Sequence, residues 1–275
     1  MMNFFATFED RQFISAHRGY RGIRPENSLC AFEASLGHCH FIELDIQMSR
    51  DGVAVIHHDP LIGRTSNGRI LAKKLKKSTL RIDEWDLAEL RQLDIGSWFL
   101  TADPFNAINE GLVNPEELNA LMPQQIMTLT ELLRWREKVQ IPLNIELKDQ
   151  RGRRHDRAIV NSVLDAIESA GCADMVLISS FRHDYLRRVK KRMPELPIGV
   201  LEKIRQPDNL LSYLADIGAD AYHPKAQIID DQTIQLLRSK GFGVNIFTVN
   251  DSATQQKLFA AGASTIFTDF PCLNG

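Results

Sequence analysis

The stretch MVLISSFRHDYLRRVKKRMPELPIGVL, Met175 to Leu201, decides the fold. An apolar, β-rich run (MVLISS) gives way to an amphipathic helical run (DYLRRVKKRM), and a second apolar run (PIGVL) follows. Strand, helix and strand in that order make a parallel βαβ unit, because strands joined by a crossover helix run the same way. The rhythm extends in both directions. FISAH, FIELDI, LNIEL, DAYHP, GVNIFTV and STIFTD bring the strand candidates to eight. Between most of them lie helical patterns: ENSLCAFEASLGHC, TLTELLRWREKV, RAIVNSVLDAIESAG, NLLSYLADIG, DQTIQLLRSKG and SATQQKLFAAG. Thr128 with Glu131 forms a capping-box pattern. Gly171, Gly218, Gly241 and Gly262 each follow a helical run, where a left-handed cap favours glycine. Eight units in 275 residues predict an α/β chain folded as one (β/α)8 TIM barrel domain over residues 1–275. A doubly wound open sheet is the alternative, but no GxGxxG stands at a first βα turn.

One stretch breaks the rhythm. Roughly residues 60–123 carry no clean βα unit; they hold TSNGR, a basic run, DEWDLAELRQLD and GSWFLTADPF. A connection this long has structure or function of its own. It predicts a small inserted subdomain after the second strand, at the barrel's mouth. The short strand AVIHH begins it, paired back after the turn at Asp51-Gly52.

Composition narrows the function classes. A net charge of −2 gives no support for a general nucleic-acid binder. The basic clusters at Lys73–Lys77, Arg151–Arg154 and Arg187–Arg192 read as solvated faces, though the middle one directly follows the strand LNIEL and its Lys148, on a loop where it could instead bind an anionic group. Cys30, Cys39, Cys172 and Cys272 form no CxxC pair, which argues against a zinc knuckle or redox motif and for free thiols in a reducing compartment. MMNFFATFEDRQF lacks the basic and long apolar regions of a signal peptide. No run approaches the roughly 18 apolar residues of a membrane span. The expectation is a soluble, cytoplasmic protein.

The chemistry gathers at strand ends. Glu43 and Asp45 lie two apart on FIELDI and so share one face. Burying two carboxylates is costly unless something positive pairs with them. A divalent cation does so, and oxygen-only ligands suit Mg²⁺ or Ca²⁺. Glu84-Trp85-Asp86 has the same spacing but is expected on an exposed helix. Glu146 and Lys148 repeat the geometry on LNIELK; an internal salt bridge is the plain reading, and a third carboxylate aimed at the same cation is the other. His17 ends the first strand beside Arg18, and His58 ends the hairpin strand beside Asp59. Cleaving a phosphodiester needs a base for the nucleophile and an acid for the departing alkoxide, and histidine suits both near neutral pH. Arg18 offers a fork of donors to phosphate oxygens. His38, His40 and His57 are expected to be structural. His223, at the end of DAYHP, stands open between lining the site and filling the core.

Together these residues resemble the glycerophosphodiester phosphodiesterase family. The resemblance rests on HRG at His17–Gly19, PEN at Pro25–Asn27, ELD at Glu43–Asp45, HD at His58-Asp59 and ELK at Glu146–Lys148. SSF at Ser179–Phe181, HP at His223-Pro224, VNIFTVND at Val244–Asp251 and IFTDFP at Ile266–Pro271 extend it over most of the chain. It implies a TIM barrel with a small inserted subdomain. It also implies metal-dependent hydrolysis of glycerophosphodiesters, such as glycerophosphocholine or glycerophosphoethanolamine, to glycerol 3-phosphate and an alcohol. One Mg²⁺ or Ca²⁺ would be held by Glu43, Asp45 and Glu146, with His17 and His58 as the acid–base pair. Arg18 and Lys148 would contact phosphate, while His223 and Phe247 would line the substrate pocket. The substrate's own 2-hydroxyl would attack phosphorus, and water would open the resulting cyclic phosphate. Ser28 stands where threonine is usual and Phe247 where tryptophan is common. Two rival readings remain. One is cleavage of lysophospholipids, with Trp98, Phe99 and Phe105 supplying an apolar channel. The other is a catalytically silent barrel that binds phosphodiesters or a partner protein. No nucleic-acid or membrane partner is expected.

Overall fold

The computed structural model describes residues 3–5 and 12–273. Most of the N-terminal stretch read for a leader therefore lies outside the described residues. The elements run β1 (Phe13–His17), α1 (Leu29–Ser35), β2 (Phe41–Met48) and β3 (Ala54–Ile56). Short helices α2 (Gly68–Lys74), α3 (Leu87–Leu90), α4 (Trp98–Ala102) and α5 (Pro115–Ala120) follow. Regular alternation then resumes with α6 (Leu129–Val139), β4 (Leu143–Leu147), α7 (Ile159–Ser169), β5 (Val176–Ser180), α8 (His183–Arg192) and β6 (Ile198–Glu202). It ends with α9 (Leu210–Ile217), β7 (Ala221–Pro224), α10 (Asp231–Ser239), β8 (Gly243–Ile246), α11 (Ser252–Ala261) and β9 (Thr265–Thr268).

Among the described residues, eight parallel strands close into a barrel, since β1 pairs with both β2 and β9. β3 lies outside that ring as an antiparallel hairpin partner of β2, with Ile46 opposite Ile56. This is the (β/α)8 architecture that the strand–helix rhythm predicts. Period-two alternation divides each strand. Ile42, Leu44, Ile46 and Met48 of β2 face outward into one core shared with Leu132, Val163 and Leu186 of the surrounding helices. Glu43, Asp45 and Gln47 face inward. The floor of the barrel is an aromatic plug of Phe5, Phe13, Phe41 and Phe267. Polar residues lie above it, so every inward carboxylate sits toward the C-terminal mouth.

Local signals hold at most ends. Thr128 and Glu131 cap α6 reciprocally. Gly218 and Gly262 adopt left-handed caps. Helix α1 is shorter than its pattern, because Glu26 and Asn27 are drawn into side-chain contacts at the mouth and the helix begins only after Ser28. The Ser28 hydroxyl accepts from the Ala31 N–H, a task any hydroxyl at that position performs.

Between β3 and α6 the chain packs two small apolar clusters, one around Trp85 and Ile95 and the other around Phe99 and Leu118. Glu84-Trp85-Asp86 is not on an exposed helix. A 3₁₀ turn over Ile82–Glu84 drops Trp85 into full burial, and Asp86 caps α3 and pairs with Arg50. The third basic cluster is spent on surface ion pairs: Arg187 with Asp216, Lys190 with Asp220 and Arg192 with Asp165. Among the described residues no helix is long and apolar enough to cross a membrane.

His223 resolves toward the core. It is fully buried, accepts from Asn245 Nδ2 at 2.8 Å, and packs against the Phe267 ring. Burial pushes its pKa down to about 3, so it stays neutral. Gly199 on β6 makes the room: a Cβ there would stand 2.2 Å from His223 Nε2. Gly199→Ala should therefore destabilise the fold by about 1–3 kcal/mol. Adding His223→Ala to that variant should return part of the loss. Denaturant titration checks both, and a silent Gly199→Ala would contradict the packing described.

Candidate active site

Three inward carboxylates meet at the barrel's C-terminal mouth. Asp45 on β2 is paired in register with Glu146 on β4, and Glu43 lies one inward step below Asp45. One oxygen from each falls within 4.8 Å of the other two, and all three residues are buried. Lys148 Nζ lies 2.9 Å from Asp45 Oδ1 and 2.6 Å from Glu146 Oε1. Arg18 donates its backbone N–H to Glu43 Oε2 at 2.9 Å and brings Nε within 3.2 Å of Asp45 Oδ2. Asn27 Nδ2 donates to the same oxygen at 2.8 Å.

Two cations against three acids leave the cluster short of positive charge. The shortfall shows in proton affinity. Burial, then the charges of Asp45 and Glu146, push the Glu43 carboxyl well above the usual range. Burial also pushes Glu146 up, against the pull of Lys148. At Asp45 burial acts in the same direction, but Lys148 and Arg18 together hold it well below. Among the described residues the only partner of the buried Asp45 Oδ1 is the Lys148 ammonium, which it shares with Glu146. A hard divalent cation, which binds through oxygen, fits this donor set.

The two histidines are each held through Nδ1. His17 Nδ1 lies 2.7 Å from Asp269 Oδ1, just beyond the end of β9, and Asn250 Nδ2 donates to the other Asp269 oxygen at 2.9 Å. Burial raises the Asp269 pKa, but the hydrogen bond and charge of His17 outweigh it and bring it down to about 2. Asp269 is thus an acceptor only, so His17 carries its proton on Nδ1 and keeps Nε2 as a lone pair. Burial and the Arg18 charge lower the His17 pKa to about 4, against the pull of Asp269. His58 Nδ1 lies 2.5 Å from Asp59 Oδ1, and Gln47 Nε2 fixes the His58 carbonyl at 2.9 Å. Both histidines, Glu43, Glu146, Arg18 and Lys148 line one cavity of about 620 Å³.

Residues 17–273 match the Glycerophosphoryl diester phosphodiesterase family. The chain belongs to that family. It is 32% identical over 263 residues to the glycerophosphodiester phosphodiesterase of Bacillus altitudinis, covering 94% of each chain. It is 28% identical over 276 residues to a Bacillus subtilis glycerophosphodiester phosphodiesterase, covering 96% of this chain and 85% of the relative. Among solved structures, it resembles the Oleispira antarctica phosphodiesterase in complex with the product sn-glycerol-3-phosphate, with TM-score 0.78, 27% identity, and coverage of 94% and 93%.

Within this phosphodiesterase barrel the sequence-predicted residues fall into two groups. His17, His58, Glu43, Asp45, Glu146, Arg18 and Lys148 converge at the mouth, and Phe247 lines the same cavity. His223 does not line it; it belongs to the barrel interior. The guanidinium of Arg18 is engaged by Glu26 at 2.9 Å as well as by Asp45. Of the second basic cluster, Arg153 is no solvated surface charge, for it reaches the cavity and lies 3.4 Å from Gln47 Oε1. Trp98, Phe99 and Phe105 do not line the cavity. Phe99 is fully buried, Trp98 Nε1 donates to Ile95 O, and Phe105 packs edge-on against Phe270 with Arg21 over its ring.

Two residues carry more than their motifs revealed. Asp269 lies within IFTDFP, and its strand-end position was the available signal. Glu26, within PEN, is a buried hub bonded to Arg18, Arg21 and Arg64. Asp269→Asn should lower kcat roughly 10²- to 10⁴-fold by releasing the His17 tautomer while the fold persists. Steady-state kinetics with circular dichroism checks this; wild-type kcat would refute the pairing.

A second outcome follows from the carboxylate cluster. A carboxyl raised in the folded state weakens folding at any pH above its unfolded value, and a cation relieves that cost. Mg²⁺ or Ca²⁺ at about a hundred times its dissociation constant should raise Tm by roughly 5 °C. Glu43→Gln should raise the metal-free Tm and shrink that increment. Thermal melts with and without chelator check both signs.

Proposed function

We propose that this phosphodiesterase hydrolyses glycerophosphodiesters to sn-glycerol 3-phosphate and an alcohol, with His17 and His58 as its acid–base pair. Glycerophosphocholine and glycerophosphoethanolamine are the first substrates to assay. The observation that carries the reading is two aspartate-held histidines facing one cavity whose wall is a buried carboxylate trio. The product-bound Oleispira antarctica structure supports the same chemistry.

Glu43, Asp45 and Glu146 would hold one Mg²⁺ or Ca²⁺. When bound, the cation supplies Lewis acidity toward a phosphoryl oxygen and screens substrate charge from the carboxylates. Arg18 and Lys148 orient the phosphate from the same wall. His17 is neutral at pH 7, since its pKa is lowered to about 4, and so it accepts a proton at Nε2. That proton comes from the glycerol 2-hydroxyl, whose oxygen attacks phosphorus. The bond from phosphorus to the alcohol oxygen breaks, and His58 supplies the proton that the alcohol takes away. Water then opens the cyclic phosphate with the two roles exchanged. A cytoplasmic location is part of the same reading, supported by four unpaired cysteines. Lysophospholipid cleavage has weaker support, because Trp98, Phe99 and Phe105 pack away from the cavity. A silent barrel is disfavoured, because all the proposed catalytic and ligand positions are filled.

His17→Ala and His58→Ala should each lower kcat on glycerophosphocholine by roughly 10²- to 10⁴-fold. A glycerophosphoryl p-nitrophenyl ester, whose leaving group needs no proton, separates the roles. It should restore p-nitrophenolate release, the first step, to His58→Ala and leave His17→Ala inactive. Equal rescue of both variants would refute the assignment, and full activity in chelator would refute the metal role.

A further inference from the structure

We propose that Lys203 and Lys225 form a subsite for a second phosphate on the alcohol portion of the substrate. The inference rests on the reading of this cavity as a glycerophosphodiester hydrolase site. Lys203 directly follows β6 and Lys225 directly follows β7, and these strands are neighbours. The Lys225 N–H donates to Glu202 O at 2.8 Å, which ties the two strand ends together. Both side chains line the cavity that holds His17 and His58.

The cavity's positive charges divide into engaged and free. Arg18 and Lys148 are tied to the carboxylates at one end. Lys203 and Lys225 make no ion pair among the described residues, and neither does Arg153, the third cation on the wall. The nearest acid in sequence, Glu202, is turned to its own loop, accepting from the N–H groups of Lys203 and Ile204 at 2.8 and 3.0 Å. Asp149 also lines the cavity but faces Arg182 at 3.2 Å and Arg151 at 3.8 Å. Lys203 and Lys225 are exposed, and unpaired lysines at the rim of a substrate cavity are a complement to an anion.

The aromatic residues beside them argue against the opposite charge. Phe181 and Phe247 meet edge to face at 5.9 Å, an arrangement that could offer a ring face to a quaternary ammonium. Lys203 Nζ already lies 5.0 Å over the Phe181 ring. A choline group entering there would meet an ammonium of like charge. Two neighbouring lysines, with Arg153 in reach of the same cavity, match a phosphate dianion better than a single carboxylate.

The test measures kcat/KM, with Mg²⁺ present, on three diesters: glycerophosphoglycerol bearing a terminal phosphate, glycerophosphoglycerol itself, and glycerophosphocholine. The expected order is that order, with about a tenfold preference for the terminal phosphate over glycerophosphoglycerol itself at low salt. Raising salt to about 0.5 M should shrink the preference. The double variant Lys203→Gln/Lys225→Gln should bring the ratio close to one. Should that variant fail to fold, the single variants and the salt dependence of the wild type still decide. A wild-type ratio near one, or a preference kept intact in the variants, would overturn the subsite while leaving the phosphodiesterase reading in place. Failure to hydrolyse any of the three diesters would overturn both.

Discussion

The structure depends on one electrostatic constraint: three carboxylates buried together at the open end of the barrel. Isolated charges do not survive in such a place. The chain answers with Lys148 and Arg18, which bridge Asp45 to Glu146 and to Glu26, and with Asn27, whose amide donates to Asp45. These residues come from the position just beyond β4, from the turn after β1 and from the turn before α1. Satisfying the carboxylates thus pins three loops at the mouth. It also explains why α1 starts late, since Glu26 and Asn27 serve the mouth and not the helix. The compensation is incomplete, as the raised proton affinities of Glu43 and Glu146 indicate. A carboxylate trio left short of positive charge is a donor set that a hard divalent cation fits.

Most of this was legible from spacing. Residues two apart on a strand share a face, so Glu43 with Asp45 and Glu146 with Lys148 declared their direction before any coordinates. Strand alternation likewise placed all eight barrel strands. What the pattern could not carry was distance across the barrel. Asp269 lies 252 residues from His17, and no local signal links a strand-end acid to one particular histidine. His223 shows the reverse failure. Its strand-end position promised access, but the missing side chain at Gly199 on the neighbouring strand lets the ring fold inward and fill the interior. Trp85 failed for a local reason: a helical charge pattern concealed a 3₁₀ turn that buries the indole. RGRR was legible only in part: its place after β4 pointed to the mouth, but charge density could not say that Arg153 alone turns to the cavity.

The segment between β3 and α6 acquires a role from the same contacts. Arg64 from this segment bonds Asp59 through Nε at 2.6 Å and Glu26 through Nη2 at 2.7 Å. Phe105, further along, packs beneath Arg21 and against Phe270, the neighbour of Asp269. The segment therefore touches Asp59 directly and reaches Asp269 through Arg21 and Phe270. Asp59 is held by Arg64, and Asp269 is flanked by Arg21, which Phe105 and Glu26 brace in turn. Its aromatic residues are engaged in this bracing and in its own small core, which is why they do not form a channel for an acyl chain. The stretch that breaks the βα rhythm in sequence thus packs against the surroundings of both imidazoles. The barrel supplies the carboxylates by strand register, and the segment between β3 and α6 braces the acids that hold His17 and His58.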